Sequence, residues 1–111
     1  NEAHCALTAG AYLTAMGPEG LREVAQRCMD NAHYLQEALA AAGLARVGSA
    51  PFFHEFVTVC PKEPERLLSA LEAEGILGGL PVQDGILWCA TEQVDRKKMD
   101  RAAAVVREVL A

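Results

Sequence analysis

The sequence is poor in aromatic residues, has no excess of positive charge and contains no long apolar run, and each shortage removes a class of protein. With three Phe, two Tyr and one Trp, few bulky groups are available to fill a core. Alanine supplies 20 of the apolar residues, so packing has to come from small interlocking surfaces. Ten Lys and Arg against 15 Asp and Glu leave a net charge of -5, which argues against a nucleic-acid or anionic-membrane surface. The longest apolar stretch, Ala38 to Ala45, is far below the roughly 20 residues of a membrane-spanning helix.

Metal and disulfide frameworks are missing as well. Cys5, Cys28, Cys60 and Cys89 are widely spaced, with no Cys-x-x-Cys and no paired Cys/His ligand spacing, so no metal site is expected. Each cysteine lies in an apolar periodic segment, and buried, reduced thiols in a cytoplasmic protein are expected. Asn1-Glu2-Ala3 carries no initiator Met and no basic leader, so the 111 residues are expected to be one domain, or a piece of one, cut from a longer chain.

Between these absences the periodicity is clear. Residues 2–16 are small or apolar on every side, and a helix apolar all round must be buried all round. Gly17-Pro18 ends it. Leu21, Val24, Ala25, Cys28, Ala32, Leu35, Leu39 and Ala42 then follow a helical repeat, predicting one long amphipathic helix from Pro18 to Ala42 with Arg22, Arg27, Asp30, Gln36 and Glu37 on its wet face. After Gly43 the period changes to extended pieces at Leu44–Val47 and Phe52–Cys60. Pro64 opens a helix through Glu74, with Leu67, Leu68 and Leu71 inward. Ile76 to Pro81 reads as a strand becoming irregular, Asp84-Gly85 as a two-residue turn, and Ile86 to Thr91 as a returning strand. A last helix is expected from Asp95, its N-cap, with Met99, Ala103, Val106 and Leu110 inward. This order predicts an α+β fold, a small and largely antiparallel sheet with helices on one face.

Few residues could carry chemistry. No Gly-x-Ser-x-Gly accompanies His4, His33 or His54. His33 reads as a solvated helix-face residue. His54 and Glu55 sit among Phe52, Phe53 and Phe56, where a polar residue needs a wet face or a partner; a structural and a pocket-facing role are both open. Gly78-Gly79 permits positive φ or close approach of another group, either as a simple turn or as an interface, but lacks the spacing of a phosphate loop. Lys62, Lys97 and Lys98 read as solvated charges. His54, Glu55, Gly78 and Gly79 are therefore the pocket or interface candidates, with no catalytic or cofactor-binding residue expected.

The stretches Ala11-Tyr12-Leu13-Thr14-Ala15-Met16-Gly17-Pro18-Glu19-Gly20-Leu21-Arg22-Glu23-Val24-Ala25, Phe52-Phe53-His54-Glu55-Phe56-Val57, Gly75-Ile76-Leu77-Gly78-Gly79-Leu80-Pro81 and Cys89-Ala90-Thr91-Glu92 together resemble the C-terminal region of subunit 1, the alpha subunit, of the split glycine dehydrogenase (decarboxylating), the P-protein of the glycine cleavage system. The resemblance runs over essentially the whole chain. It implies the small C-terminal domain of a type I pyridoxal-phosphate enzyme, residues 18–111, preceded by a buried connecting helix, residues 1–17. It further implies pyridoxal-phosphate-dependent decarboxylation of glycine by the complete enzyme, with the aminomethyl group passed to the lipoyl arm of H-protein. The implied partners are the large domain of the same chain, subunit 2 and H-protein. No lysine here matches the family's Schiff-base lysine, which belongs to subunit 2, so this piece is expected to bind no cofactor and to be inactive alone. His54 stands where the family commonly has Asn, which weakens a fixed polar role there. Two other readings stay open: the small domain of an aminotransferase or cysteine desulfurase, and a free-standing α+β regulatory or oligomerisation module.

Overall fold

Helical periodicity and turn residues divide the chain much as the sequence predicts. The computed structural model describes residues 1–111 in the order α1 (Glu2–Ala41), β1 (Glu55–Thr58), α2 (Pro64–Ala73), β2 (Leu80–Val82), β3 (Gly85–Cys89) and α3 (Arg96–Leu110). The two helices expected on either side of Gly17-Pro18 are joined in α1 through a kink. Gly17 takes φ 64 and ψ 177 there, a backbone conformation a side chain would oppose, and Pro18 has no N–H to give to the ladder. Asn1 caps the start of α1, its side-chain oxygen accepting from the N–H groups of Ala3 and His4 at 3.1 and 3.2 Å. Asp95 caps α3 as expected, accepting from the Lys98 N–H at 2.7 Å.

The sheet has the order β1-β3-β2 and both pairings are antiparallel, with Phe56 opposite Trp88 and Leu80 opposite Leu87. Alternation along β1 and β3 separates two faces. Phe56, Thr58, Ile86 and Trp88 are buried against the helices, while Glu55 and Cys89 are exposed and Val57 and Leu87 half-buried on the other face. Against the inner face pack Ala32, Leu35 and Leu39 of α1, Leu67 and Leu71 of α2, and Met99, Ala103 and Val106 of α3. All three helices therefore cover one side of a three-stranded sheet, the expected α+β layer. Inside it the Trp88 indole N–H donates to the Thr58 hydroxyl at 2.9 Å, so the core's one polar side chain is satisfied.

Several local expectations are corrected. The strand expected over Phe52–Cys60 is only Glu55–Thr58, because Phe53 and His54 form a bend. Leu44–Val47 contributes one antiparallel bridge, Arg46 to Thr58. Ile76–Gly79 is irregular and Leu80–Val82 is the strand, the reverse of the expected order. The two-residue loop is Gln83-Asp84, one position early, because Gly85 already pairs with Val82. The inward stripe of α1 is fully covered only from Cys28 onward, leaving Leu21 and Ala25 exposed and Val24 half-buried, since only the loop at Glu92 and Gln93 comes near that part of the helix.

The cysteines also depart from expectation. All four are free, but only Cys28 is buried; Cys60 is half-buried, and Cys5 and Cys89 are exposed. His33 is not simply solvated. Its ring stacks on Phe52 at 4.1 Å and 7°, with Nδ1 2.8 Å from the Met29 carbonyl. Lys62 is not a free surface charge either, since its ammonium donates to the Val109 carbonyl at 2.7 Å, satisfying an otherwise open acceptor at the end of α3. No helix is long and apolar enough to cross a membrane.

Candidate functional site

The four candidate residues fall in two places. His54 and Glu55 enter β1, where Glu55 lies opposite Cys89 of β3. The Ala90 N–H donates to the His54 carbonyl at 3.1 Å, which makes Glu55 and Cys89 a pair without mutual backbone bonds, the kind whose side chains stand closest. The bend at Phe53-His54 breaks strand alternation and lets the imidazole join them. His54, Glu55 and Cys89 each place a donor atom within 4.8 Å of the others. Phe53 packs edge-on against the imidazole, centroid to centroid 4.8 Å. Partial burial, then the nearby Glu55 charge, pushes the Cys89 thiol above its ordinary range. Sequence reading identified His54 and Glu55 and missed Cys89, 34 positions further on, because only strand register joins them.

Gly78 and Gly79 serve a different place, and their role comes from close approach, not from handedness. Positive φ occurs at five other glycines. A Cβ on Gly78 would stand 2.7 Å from Leu68 Cδ2 and 2.8 Å from Leu71 Cδ1, whereas one on Gly79 would run into the Leu87 backbone, 3.0 Å from its carbonyl carbon. The approaching groups belong to this chain. Gly78 also lines a recess of about 280 Å3 whose walls include Leu35, Trp88, Met99 and Ala102, with Cys89 and Lys98 at its polar side.

A second recess, about 290 Å3, lies where the arms of α1 meet the loop after β3, lined by Tyr12, Met16, Gly20, Arg27 and Glu92 among others. There the Cys28 thiol donates to Glu92 Oε2 at 3.2 Å. Burial, then that bond, raises the Cys28 thiol, and the same bond lowers the Glu92 carboxyl. Asn31 holds the loop in place by donating to the carbonyls of Thr91 and Val94, both at 2.9 Å. Glu92 was visible in the sequence only as part of Cys89-Ala90-Thr91-Glu92; its buried thiol partner was not.

Two apolar surfaces are open. The first arm of α1 exposes Leu7 (73%), Tyr12 (48%) and Leu13 (50%). The outer sheet face presents Val47, Val59, Leu80 and Val82, with half-buried Val57 and Leu87 between them. Patches of this kind mark contact surfaces.

No protein-family model matches the chain. It is 40% identical over 119 residues to the probable glycine dehydrogenase (decarboxylating) subunit 1 of Thermomicrobium roseum, covering 100% of this chain and 27% of the relative. It is 41% identical over 109 residues to that subunit of Thermotoga maritima, covering 91% of this chain and 25% of the relative. A crystal structure of glycine decarboxylase (P-protein) of the glycine cleavage system, in inhibitor-bound form, superposes with a TM-score of 0.82 and 36% identity over 89% of this chain and 24% of that one. The fold is thus that of a region of the glycine-decarboxylating enzymes. More narrowly, the chain is similar over its whole length to the C-terminal region of glycine dehydrogenase (decarboxylating) subunit 1. It spans about a quarter of the length of the relatives it matches.

Proposed function

We propose that this chain is the small domain of a subunit that, with a second subunit, decarboxylates glycine and passes the aminomethyl group to the lipoyl arm of H-protein in the cytoplasm. The observation that carries this reading is the end-to-end match to subunit 1 over a quarter of its length. The two uncovered apolar surfaces support it, because a domain meant to pack on a larger body exposes such faces when it stands alone.

In such enzymes pyridoxal phosphate supplies the electron sink for loss of carbon dioxide. The donor set of this chain does not fit that cofactor. The Lys62 ammonium is taken up by the Val109 carbonyl, and Lys97 and Lys98 stand exposed in the first turn of α3, outside any enclosed pocket of the kind that activates an amine nucleophile. No step is therefore routed through this segment. Its residues supply shape: α2 and α3 brace the sheet from one side, and residues 1–17 form a connecting arm whose apolar surface is buried by the remainder of the subunit.

The test compares the complete two-subunit enzyme with one lacking this segment, in exchange of labelled bicarbonate into glycine with lipoylated H-protein. Exchange is expected from the complete enzyme and lost on deletion. The isolated chain, incubated with pyridoxal phosphate and borohydride, is expected to give no lysine adduct. Undiminished exchange after deletion, or a stoichiometric adduct on one lysine of this chain, overturns the reading.

A further inference from the structure

The corner formed by His54, Glu55 and Cys89 combines three different donors on a rigid frame. An imidazole nitrogen, a carboxylate oxygen and a sulfur lie within 4.8 Å of one another. Opposed strand residues carry two of them, and the bond from the Ala90 N–H to the His54 carbonyl fixes the third at the adjacent rung. The chain's ion pairs engage Glu19, Glu23, Glu74 and Glu108, leaving Glu55 outside them.

The geometry points to a binding site for one Zn2+ ion, with His54, Glu55 and Cys89 as protein ligands and a fourth position open to water. Mixed nitrogen, oxygen and sulfur donors are those of a borderline-soft divalent ion and not of Mg2+ or Ca2+, which take oxygen alone. Tetrahedral Zn2+ with bonds near 2.0–2.3 Å holds its ligand atoms about 3.5 Å apart, so the three groups need to close by about 1 Å. Glu55 and Cys89 are exposed and can make that adjustment by side-chain rotation, while Phe53 against the His54 ring keeps the imidazole in place. On binding, the sulfur–zinc bond replaces the thiol S–H bond and the proton leaves to solvent, with no change of oxidation state. The ion would tie β1 to β3 at the end where the chain bends away from the sheet. This inference rests on the corner's geometry and does not depend on the proposed reaction.

The experiment uses the intact subunit with Zn2+ alone, measured by titration calorimetry, and Co2+ as a spectroscopic substitute. One Zn2+ is expected per subunit, and Co2+ should show a sulfur-to-cobalt charge-transfer band that Zn2+ bleaches. His54→Asn and Cys89→Ser are each expected to weaken Zn2+ at least about tenfold, since loss of outer-shell partners alone costs that much, and Cys89→Ser to abolish the band. His54 is only half-buried and lies in a bend outside the strand, so His54→Asn tests the site without threatening the fold. Cys5→Ser and Cys60→Ser should change neither readout. Failure of the intact subunit to take up Zn2+, or uptake that survives His54→Asn and Cys89→Ser unchanged, overturns the assignment.

Discussion

Replacing Gly79 by Ala should weaken the domain far more than the same change at Gly78, although the two glycines are adjacent and neither has positive φ. At Gly78 the added methyl meets the ends of two leucine side chains, Leu68 Cδ2 at 2.7 Å and Leu71 Cδ1 at 2.8 Å. Leu68 is half-buried and can turn aside; Leu71 is fully buried and resists. At Gly79 the methyl meets backbone: the Leu87 carbonyl carbon would be 3.0 Å away and its oxygen closer still, where carbon atoms prefer about 3.5–4.0 Å. Relief there requires β2 to move away from β3, whose pairing to Leu80, Pro81 and Val82 would be lost. Overpacking costs about 1–3 kcal/mol, and Ala in place of Gly returns about 0.4–1 kcal/mol by restricting the unfolded chain. Gly78→Ala should therefore lie between neutral and about 1 kcal/mol destabilising, and Gly79→Ala between about 1 and 2.5 kcal/mol. β2 is exposed at all three residues, so its detachment strips little of the core and the variant stays folded enough to measure. Urea denaturation followed by fluorescence of Trp88, the single tryptophan and 3% exposed, reads both variants. Equal midpoints for the two, or a Gly79→Ala variant within about 0.5 kcal/mol of the parent, would show that the backbone yields and that close approach does not select glycine here.

Other perturbations probe the core and the thiols. Thr58→Val keeps the shape of a fully buried side chain but strands the Trp88 indole N–H, and should cost about 1–3 kcal/mol by the same denaturation assay; a neutral result would mean that water or a shift satisfies the indole. The raised Cys28 thiol means the folded chain holds a proton that the unfolded chain releases. Its contribution is present below the ordinary thiol value of 9.0 and is lost as pH rises from there through the folded value. Stability measured from pH 7 to pH 10 should fall, and Cys28→Ala should flatten the fall; an unchanged slope refutes it. In the native state Cys5 should react with a thiol reagent well before Cys28, and simultaneous reaction would contradict the burial.

What could be read from sequence alone divides by range. Helix positions were legible because caps and periodic stripes are local: Asp95, Pro64 and the repeat from Cys28 to Ala42 sit where the structure puts them. Strand ends were less so, since Gly85 is a strand residue by virtue of pairing with Val82, and Phe52 and Phe53 leave the sheet at a bend. Long-range partners were not legible at all. His33 looks like a surface residue until Phe52 is laid on its ring, and Lys62 like a free charge until the end of α3 arrives beside it. For the candidate site, the aromatic setting singles out His54 and Glu55 in the sequence, but Cys89 joins them only through strand register. Gly78-Gly79 was conspicuous for a correct reason, the need for space, though its own leucines and strand fill that space. Exposure was the hardest to foresee, because the stripe of α1 continues toward its start beyond Cys28, where the chain lays only the loop at Glu92 and Gln93 near it.

That continuation leads to the last prediction. Leu7, Tyr12 and Leu13 leave roughly 300 Å2 of side chain open, worth about 7 kcal/mol if buried at ~25 cal/mol per Å2. The arm carrying them is about 15 residues long, near the lower limit at which a helix persists in water without tertiary support, and Gly17 gives it a joint at which to part from the rest. Thr8 and Thr14 bond back to the carbonyls of His4 and Gly10, a habit that adds little to a solvated helix. By itself the arm therefore has two ways to lower its free energy: unwinding, or covering its apolar side with another surface. In the isolated chain, amides of residues 2–16 should exchange quickly at low concentration, whereas those from Cys28 to Ala41 stay protected. In the complete subunit both stretches should be protected. Raising the concentration of the isolated chain should slow exchange in the arm in step with a rise in mass by light scattering. A strictly monomeric chain with the arm protected throughout would mean that 15 small and apolar residues hold their helix unaided, and the inference that the arm requires a covering surface would fail.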